Sequence, residues 1–258
     1  MDSPHNSISV GLFDLTGKIA CVTGASSGLG RHVASFLALN GATVIGVARR
    51  KEKLSEWQAS VPAKTYSIVA DLSDKAVLAD IASDIIEKVG YPDILINAAG
   101  INTRQASDDV TPEGWAVTLD LNLTAPFFLA QSFVSGMKGK NWGRIVNFAS
   151  LQTYRAFPGG IAYGATKAGI AQVTRAMAED WSRYGITVNA IAPGFFNTEL
   201  TAAVFADSQL SKRNAAQTCV GRNGELSDLD GPIQFLCSNA SSYVTGQVLA
   251  VDGGFTAK

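Results

Sequence analysis

Short apolar runs alternate with segments of helical periodicity along almost the whole chain. Between the runs, apolar residues recur about every 3.6 residues, as at Val33, Phe36 and Leu37. We therefore predict an α/β fold, a doubly wound parallel sheet with helices on both faces. Its seven strands are the apolar runs, each typical of a strand buried on both faces: residues 18–23, 42–48, 65–70, 93–97, 144–148, 186–192 and 247–251.

Length and composition favour a single domain. The chain has 258 residues, of which 47% are hydrophobic and only 17% are charged. This composition allows one large core, and no linker, repeat or low-complexity tract divides the chain. We predict a polar N-terminal arm at residues 1–14 and one domain at residues 15–258.

The charge and the rarer residue types exclude several classes of function. The formal net charge is −1, so general attraction to nucleic acid or to an anionic membrane is not expected. No segment has the apolar length of a membrane span, and we expect a soluble, cytoplasmic protein. No metal site is predicted, because histidines are too few and cysteines too scattered: His5, His32, Cys21, Cys219 and Cys237.

A glycine-rich turn lies between the first predicted strand and the first predicted helix. Glycine lets the backbone approach a pyrophosphate closely, and the helix N-terminus offers unpaired N–H groups and a positive dipole end. The turn therefore predicts a Rossmann-like dinucleotide site. The expected phosphate contacts are Gly24, Ser26, Ser27, Gly28, Leu29 and Gly30.

The end of the second strand indicates which dinucleotide is bound. An NAD site commonly places an acidic residue here to hold the ribose 2′-hydroxyl, but this chain has Ala48, Arg49 and Arg50. The planar guanidinium of Arg49 suits a 2′-phosphate. We therefore predict NADP(H) as cofactor, with contacts from Arg49 and Arg50; a merely solvated basic helix start is the alternative interpretation.

Tyr163 and Lys167 are four residues apart in a segment of helical pattern. This spacing places both side chains on one helix face, about one turn apart. A phenol ordinarily titrates near pH 10, and a fixed cation nearby favours its ionised form. We predict that Lys167 lowers the pKa of Tyr163 toward about 7, so that Tyr163 exchanges a proton with a substrate hydroxyl or carbonyl.

These motifs together resemble the short-chain dehydrogenase/reductase family over about residues 15–255. They occur in the family's order: Thr23-Gly24-x-x-x-Gly28-x-Gly30, Asp71, Asn97-Ala98-Ala99-Gly100, Asn122, Ser150, Tyr163-x-x-x-Lys167, Pro193-Gly194 and Thr198. The chain departs from the family where Ala98 replaces a second asparagine and Ala149 a first serine. Neither departure removes a group that the chemistry needs.

The resemblance implies roles for individual residues. Tyr163 would be the general acid or base, Lys167 would also hold the nicotinamide ribose, and Ser150 would bind the substrate oxygen. Asn122 would hold a proton-relaying water. Further cofactor contacts would come from Asp71, Leu72, Asn97, Ala98, Gly100, Pro193, Gly194 and Thr198.

The loops after the fourth, fifth and sixth strands are expected to bind the substrate, because ligands of open α/β sheets bind at the carboxyl ends of strands. The candidate contacts are Arg104, Gln152, Tyr154, Arg155 and Phe195. An arginine among them suits a substrate carboxylate. These loops are similar to those of the family's sugar-acid and polyol dehydrogenases, gluconate 5-dehydrogenases among them, and of its 3-oxoacyl-carrier-protein reductases.

We therefore expect an oxidoreductase that uses NADP(H) to interconvert a small polar ketone, of keto sugar acid or polyol type, and its secondary alcohol. One alternative is a 3-oxoacyl-carrier-protein reductase, with Lys138, Lys140 and Arg183 facing an acidic carrier. Another is a non-catalytic NADPH-binding sensor protein. The resemblance further implies a homotetramer that packs through its long helices and its C-terminal strand.

Overall fold

The structure of the protein is a computed structural model that describes residues 11–258. Residues 1–10 of the predicted N-terminal arm lie outside the described residues, and the division at residue 14 stays a prediction. Leu15, the first residue of the predicted domain, is fully buried.

One parallel sheet forms the centre of the described chain. Its seven strands lie in the order β3-β2-β1-β4-β5-β6-β7, so the predicted doubly wound sheet is confirmed. The order reverses between β1 and β4, which is where a ligand crevice is expected. The strands are β1 (Ile19–Thr23), β2 (Thr43–Ala48), β3 (Thr65–Val69), β4 (Ile94–Asn97), β5 (Gly143–Phe148), β6 (Ile186–Pro193) and β7 (Val248–Val251).

Helices cover both faces of the sheet and enclose a hydrophobic core on each. The residues of β1 alternate between the cores: Ala20 and Val22 face one, and Cys21 faces the other. The helices are α1 (Gly28–Leu39), α2 (Lys51–Ser60), α3 (Leu78–Val89), α4 (Pro112–Leu119), α5 (Ala125–Lys140), α6 (Ile161–Trp181), α7 (Ala202–Ala206), α8 (Ser208–Gln217) and α9 (Asp230–Cys237). Among the described residues, no helix is both long and apolar enough to cross a bilayer.

A π-helical segment, Asp120–Thr124, separates α4 from α5. At the start of α4, Thr111 accepts a capping hydrogen bond from the Gly114 amide at 3.0 Å. The segment carries Asn122 into the interior, where it is 2% exposed.

Asp74, and not its neighbour Ser73, caps the turn that leads into α3. Its Oδ1 atom accepts a 2.9 Å hydrogen bond from the Ala76 amide and starts a short 3-10 turn before α3. Ser73 instead donates its hydroxyl, at 2.7 Å, and its amide, at 3.0 Å, to Oδ1 of Asp71. These bonds orient the Asp71 carboxylate after β3.

Candidate active site

A cleft of about 690 Å³ opens at the carboxyl ends of β1, β2, β4, β5 and β6. Residues that the sequence predicts to bind cofactor or substrate line it along its whole length. Four predicted residues do not reach it: Asn97, Asn122, Tyr154 and Arg155. Those that do are Gly24, Ser26, Ser27, Gly28, Leu29, Gly30, Arg49, Arg50, Asp71, Leu72, Ala98, Gly100, Arg104, Ser150, Gln152, Tyr163, Lys167, Pro193, Gly194, Phe195 and Thr198.

The glycine turn forms part of the cleft wall, and the backbone packs too closely at Gly24 and Gly30 for a side chain at either position. Gly24 has a φ of +75°, and a Cβ atom on Gly30 would lie 2.6 Å from the carbonyl oxygen of Gly24. Helix α1 begins at Gly28, and the Ser27 side chain makes no capping hydrogen bond to it. Backbone N–H groups at this helix start are therefore suited to dinucleotide phosphates.

Basic and hydroxyl side chains gather at the end of the cleft beside β2. Arg50 donates hydrogen bonds from Nη2 to Ser27 Oγ at 2.6 Å and to Ser26 Oγ at 3.1 Å. Arg49 Nη1 lies 3.4 Å from Oδ2 of Asp71. Burial acts to raise the pKa of Asp71, but hydrogen bonds from Ser73 and the charge of Arg49 lower it below its ordinary value. Two guanidinium groups and two hydroxyls fit a 2′-phosphate.

Tyr163 and Lys167 lie one turn apart on α6, as their spacing predicts, and Lys167 Nζ is 5.3 Å from the centroid of the Tyr163 ring. Tyr163 is half-buried, and the Ser150 side chain lies close enough to act on the pKa of its phenol. Lys167 is 4% exposed and donates from Nζ to the carbonyl oxygen of Phe148 at 2.6 Å. Helix α6 and the end of β5 thus bring Ser150, Tyr163 and Lys167 together.

The charges around Tyr163 differ from those that the sequence predicts. Burial raises the pKa of Tyr163 above its ordinary value, while the Ser150 hydrogen bond and the charge of Arg104 act to lower it. Burial lowers the pKa of Lys167 to about 8. The predicted lowering of the Tyr163 pKa by Lys167 is therefore wrong in this structure, where the cation that acts on the phenol is Arg104.

Thr153 is a positioning residue that the sequence analysis missed. Its Oγ1 atom accepts a hydrogen bond from the Ser150 amide at 3.3 Å and donates one to the main-chain oxygen of Lys167 at 3.0 Å. The Ser150 hydroxyl also accepts from the Gln152 amide at 3.2 Å. The signal was present, since Ser-x-x-Thr directly after a strand is the spacing of a capping arrangement.

Asn122 lies beneath the cleft and fixes the loop after β4. Its Oδ1 atom accepts from the Ile101 amide at 2.9 Å, and its Nδ2 atom donates to the Ile101 carbonyl at 2.9 Å and to Thr166 Oγ1 at 3.2 Å. The side chain therefore ties this loop to α6. Its predicted role in holding a water stays a prediction.

The side chain of Asn97 does not lie along the cleft as the resemblance implies. Its Nδ2 atom donates to Asn147 Oδ1 at 2.8 Å, and Asn147 in turn donates to Thr174 Oγ1 at 2.9 Å. Because β4 carries this side chain into the core, Ala98 lines the cleft in its place.

Arg104 and an aromatic cluster define the substrate end of the cleft. Arg104 has a φ of +52°, a conformation that a residue with a Cβ atom rarely adopts and that is common at binding sites. Its Nη2 atom donates to the carbonyl oxygen of Leu200 at 2.8 Å. Phe195 packs edge-on against Phe157 and Phe255, with ring centroids 6.2 Å and 5.6 Å away. These rings form an apolar wall beside a charged group.

Tyr154 and Arg155 lie outside the cleft, contrary to their prediction as substrate contacts. Both line a separate, open cavity on the outer side of the loop after β5. Arg155 Nη2 donates to the main-chain oxygen of Lys258 at 2.6 Å, and Tyr154 is 52% exposed. The short 3-10 turn Leu151–Thr153 directs Gln152 into the cleft and the next two residues away from it.

The comparisons with known proteins agree with this arrangement. Residues 24–256 match the family described as enoyl-(acyl carrier protein) reductase. Gluconate 5-dehydrogenase of Gluconobacter oxydans (strain 621H) is 40% identical over 95% of this chain and 97% of that protein. A 3-oxoacyl-[acyl-carrier-protein] reductase of Vibrio cholerae is 33% identical over 93% of this chain and 98% of that protein.

A solved structure extends the agreement to three dimensions. It is a gluconate 5-dehydrogenase from Burkholderia cenocepacia J2315 in complex with NADP and tartrate, with a TM-score of 0.91 and 35% identity. The similarity covers 97% of this chain and 99% of that one. The match to the family model, the identity to curated relatives and the shared fold show that the chain belongs to the short-chain dehydrogenase/reductase family of oxidoreductases.

Proposed function

We propose that this protein uses NADP(H) to interconvert a small polar ketone, of keto sugar acid or polyol type, and its secondary alcohol. The observation that carries the proposal is the meeting of Ser150, Tyr163 and Arg104 in one cleft, where the serine side chain and the arginine's charge both act to lower the pKa of the phenol. Such a site suits a substrate that has both a reactive carbonyl and an anionic group. The similarity to gluconate 5-dehydrogenases supports the same substrate class.

The cofactor is NADP(H), and the cleft fits it. The glycine turn and the start of α1 would hold the pyrophosphate, and Arg49, Arg50 and Ser26 the 2′-phosphate. Asp71 would contact the adenine end, and Pro193, Gly194 and Thr198 the nicotinamide end. When bound, the nicotinamide ring supplies a hydride to the carbonyl carbon or accepts one from the alcohol carbon.

The chain's own residues donate the proton in one direction of the reaction and accept it in the other. In ketone reduction, Tyr163 gives the phenolic proton to the substrate oxygen as negative charge develops there, and in oxidation it takes the proton back. Because burial raises the pKa of Tyr163, the neutral phenol needed for reduction predominates at neutral pH. Ser150 donates a hydrogen bond to the substrate oxygen. Lys167, whose pKa is about 8, can release and regain a proton near neutral pH and so resupply Tyr163.

Arg104 would bind the anionic group of the substrate. Its guanidinium reaches the cleft from the loop after β4. Its hydrogen bond to Leu200 connects it to the segment that follows β6 and ends with α7, here called the flap (residues 195–206). Flap residues Phe195, Leu200 and Val204 line the cleft opposite the loop. A closed flap excludes water, which strengthens the charged contacts within.

A substrate panel tests the proposal. The purified protein is assayed with NADPH and NADH against 5-ketogluconate, neutral polyol-derived ketones and acetoacetyl thioesters. We expect NADPH to be preferred and kcat/KM to be highest for the keto sugar acid. Higher turnover of thioesters would favour the carrier-protein reductase, and tight NADPH binding without turnover of any ketone would favour the sensor protein.

The basic residues proposed for an acidic carrier do not support that alternative. Lys138 and Lys140 lie at the end of α5 and Arg183 lies just before β6, at the amino-terminal edge of the sheet, opposite the cleft. Lys140 pairs with Asp93 at 2.7 Å, and Lys138 and Arg183 both lie over the ring of Tyr184. Their contacts explain them without a carrier.

We also propose a homotetramer. The support is exposed apolar side chains on the elements expected at its interfaces: Trp115 on α4 and Phe128 on α5, 39% and 44% exposed, and Leu249 on the edge strand β7, 39% exposed. Light scattering after size-exclusion chromatography tests it. Four copies are expected for the unaltered protein and fewer for Leu249→Arg, and a monomeric unaltered protein would contradict the proposal.

A further inference from the structure

A salt bridge crosses the mouth of the cleft between Arg50 and Glu199. Arg50 Nη1 lies 2.9 Å from Oε2 of Glu199, and the two side chains are 45% and 60% exposed. Arg50 directly precedes α2, on the β2 side of the cleft, whereas Glu199 begins a 3-10 turn, Glu199–Thr201, in the flap. The salt bridge therefore joins the adenosine end of the cleft to the flap.

Glu199 is the anion in a cluster that otherwise consists of donors and hydroxyls. Arg50 also donates to Ser27 at 2.6 Å and to Ser26 at 3.1 Å, from its Nη2 atom. Burial acts to raise the pKa of Glu199, but hydrogen bonds from Arg50 and Ser27 and the charge of Arg50 hold it below its ordinary value. The carboxylate is therefore ionised at neutral pH and pairs with Arg50, a group suited to the 2′-phosphate.

The other arginine at this end is also paired with an acid. Arg49 Nη1 lies 3.4 Å from Asp71 Oδ2, a longer contact than that of Arg50 with Glu199. Asp71 is held in addition by Ser73. An incoming phosphate would thus meet two arginines that each already pair with a carboxylate. The phosphate and the carboxylate are both negative and repel each other when they bind the same guanidinium.

We propose that Glu199 competes with the 2′-phosphate of NADP(H) for Arg50, so that this carboxylate limits the preference for NADP(H) over NAD(H) and links the flap to the occupied phosphate site. The inference rests on the cofactor proposed above. Phosphate binding breaks the Arg50–Glu199 pair and leaves the flap turn tied by the hydrogen bond between Arg104 and Leu200. Binding of the 2′-phosphate at the adenosine end of the cleft thereby increases the mobility of the flap, which lines the part of the cleft proposed to bind the substrate.

Glu199→Gln tests the inference, because it removes the charge and keeps the size and a hydrogen-bond acceptor. Asp84→Asn is a control that also removes the acid of an exposed pair, since Asp84 lies 2.6 Å from Lys88 on α3 and neither residue lines the cleft. Dissociation constants are measured by calorimetry for NADPH, NADH, 2′,5′-ADP and 5′-AMP. The two adenosine probes differ only by the 2′-phosphate and need no catalysis.

We expect Glu199→Gln to tighten NADPH and 2′,5′-ADP by about two- to fivefold, the range of an exposed ion pair. NADH and 5′-AMP should change by less, and Asp84→Asn should change neither pair. The gain should shrink in high salt, because exposed charges are then screened. In the unaltered protein, 2′,5′-ADP but not 5′-AMP should speed amide exchange in residues 199–206.

Equal affinity of 2′,5′-ADP and 5′-AMP for both the unaltered protein and Glu199→Gln would overturn the proposed cofactor together with this inference. If 2′,5′-ADP binds more tightly but Glu199→Gln leaves that difference unchanged, only the inference is wrong. Weaker binding of NADPH and NADH alike in Glu199→Gln would show that Glu199 clamps the bound dinucleotide, and would overturn the competition.

Discussion

The hydroxyl of Thr153 donates a 3.0 Å hydrogen bond to the main-chain oxygen of Lys167. Because the same hydroxyl accepts from the Ser150 amide, it holds the loop after β5 against the face of α6 that carries Tyr163 and Lys167. The separation between the Ser150 and Tyr163 hydroxyls therefore depends on the Thr153 side chain.

Thr153→Val should lower kcat by about tenfold or more and change KM and NADPH affinity little. A shift of about 1 Å in a catalytic group can cost up to about 10²-fold in rate. Thr153→Ser retains the hydroxyl and should recover most of the activity. Steady-state kinetics and NADPH titration of both variants check this, and an unchanged kcat in Thr153→Val would contradict the positioning role.

Tyr163→Phe should reduce kcat by at least about 10²-fold, because the general acid and base is removed. The ring and its packing remain, so NADPH affinity should change little. Quenching of tryptophan fluorescence by NADPH measures binding, and stopped-flow absorbance measures hydride transfer. Turnover near that of the unaltered protein would rule out Tyr163 as the proton donor.

Arg104→Gln should lower kcat/KM for a keto sugar acid by about 10- to 100-fold, the range of a hydrogen bond between charged groups. A neutral ketone should lose much less. Since the charge of Arg104 acts to lower the pKa of Tyr163, the basic limb of the pH profile with a neutral ketone should move to higher pH. Arg183→Gln, at the opposite edge of the sheet, is the control, and equal losses for acidic and neutral ketones would contradict carboxylate binding.

Lys167 should make stability depend on pH. Burial lowers its pKa from 10.5 to about 8, so between these values the unfolded chain binds a proton that the folded chain does not. The free energy of unfolding therefore rises with pH from about 8 to about 10.5, by on the order of 3 kcal/mol.

Lys167→Met lacks this titration, and its stability relative to the unaltered protein should be greatest at pH 7 and should fall as the pH approaches 10. Urea unfolding at both pH values measures the difference. Lys88→Met, which removes an exposed lysine paired with Asp84, should show no such trend. A pH-independent difference between Lys167→Met and the unaltered protein would mean that the buried amine is charged throughout.

The sequence was sufficient to predict the sheet, because runs buried on both faces and the glycine turn are local signals. The position of Tyr163 beside Lys167 followed from helical spacing alone. Helical spacing could not predict the direction of the Lys167 amine, because this amine donates to the carbonyl oxygen of Phe148, which belongs to β5. The prediction of NADP(H) from Arg49 agrees with the NADP in the solved relative.

Features that arise from contacts distant in sequence were missed or misplaced. The π-helical segment around Asn122 has no distinct apolar period and therefore no local signal in the sequence. Arg155 looked like a substrate ligand because its loop faces the cleft, but one 3-10 turn reverses its direction. Glu199 carried no signal of its partner Arg50, which lies on a different element.

The close approach of Gly30 to Gly24 limits how this protein could evolve or be redesigned. A single methyl group at Gly30 would lie 2.6 Å from a backbone oxygen. Substitution of this glycine is therefore excluded, whichever coenzyme the protein binds. Exchange of coenzyme preference must therefore come from the rim, where Arg49, Arg50 and Glu199 are exposed and can be replaced without disturbing the core. Substitutions are therefore restricted at Gly24 and Gly30, whereas Arg49, Arg50 and Glu199 can be exchanged to change the coenzyme.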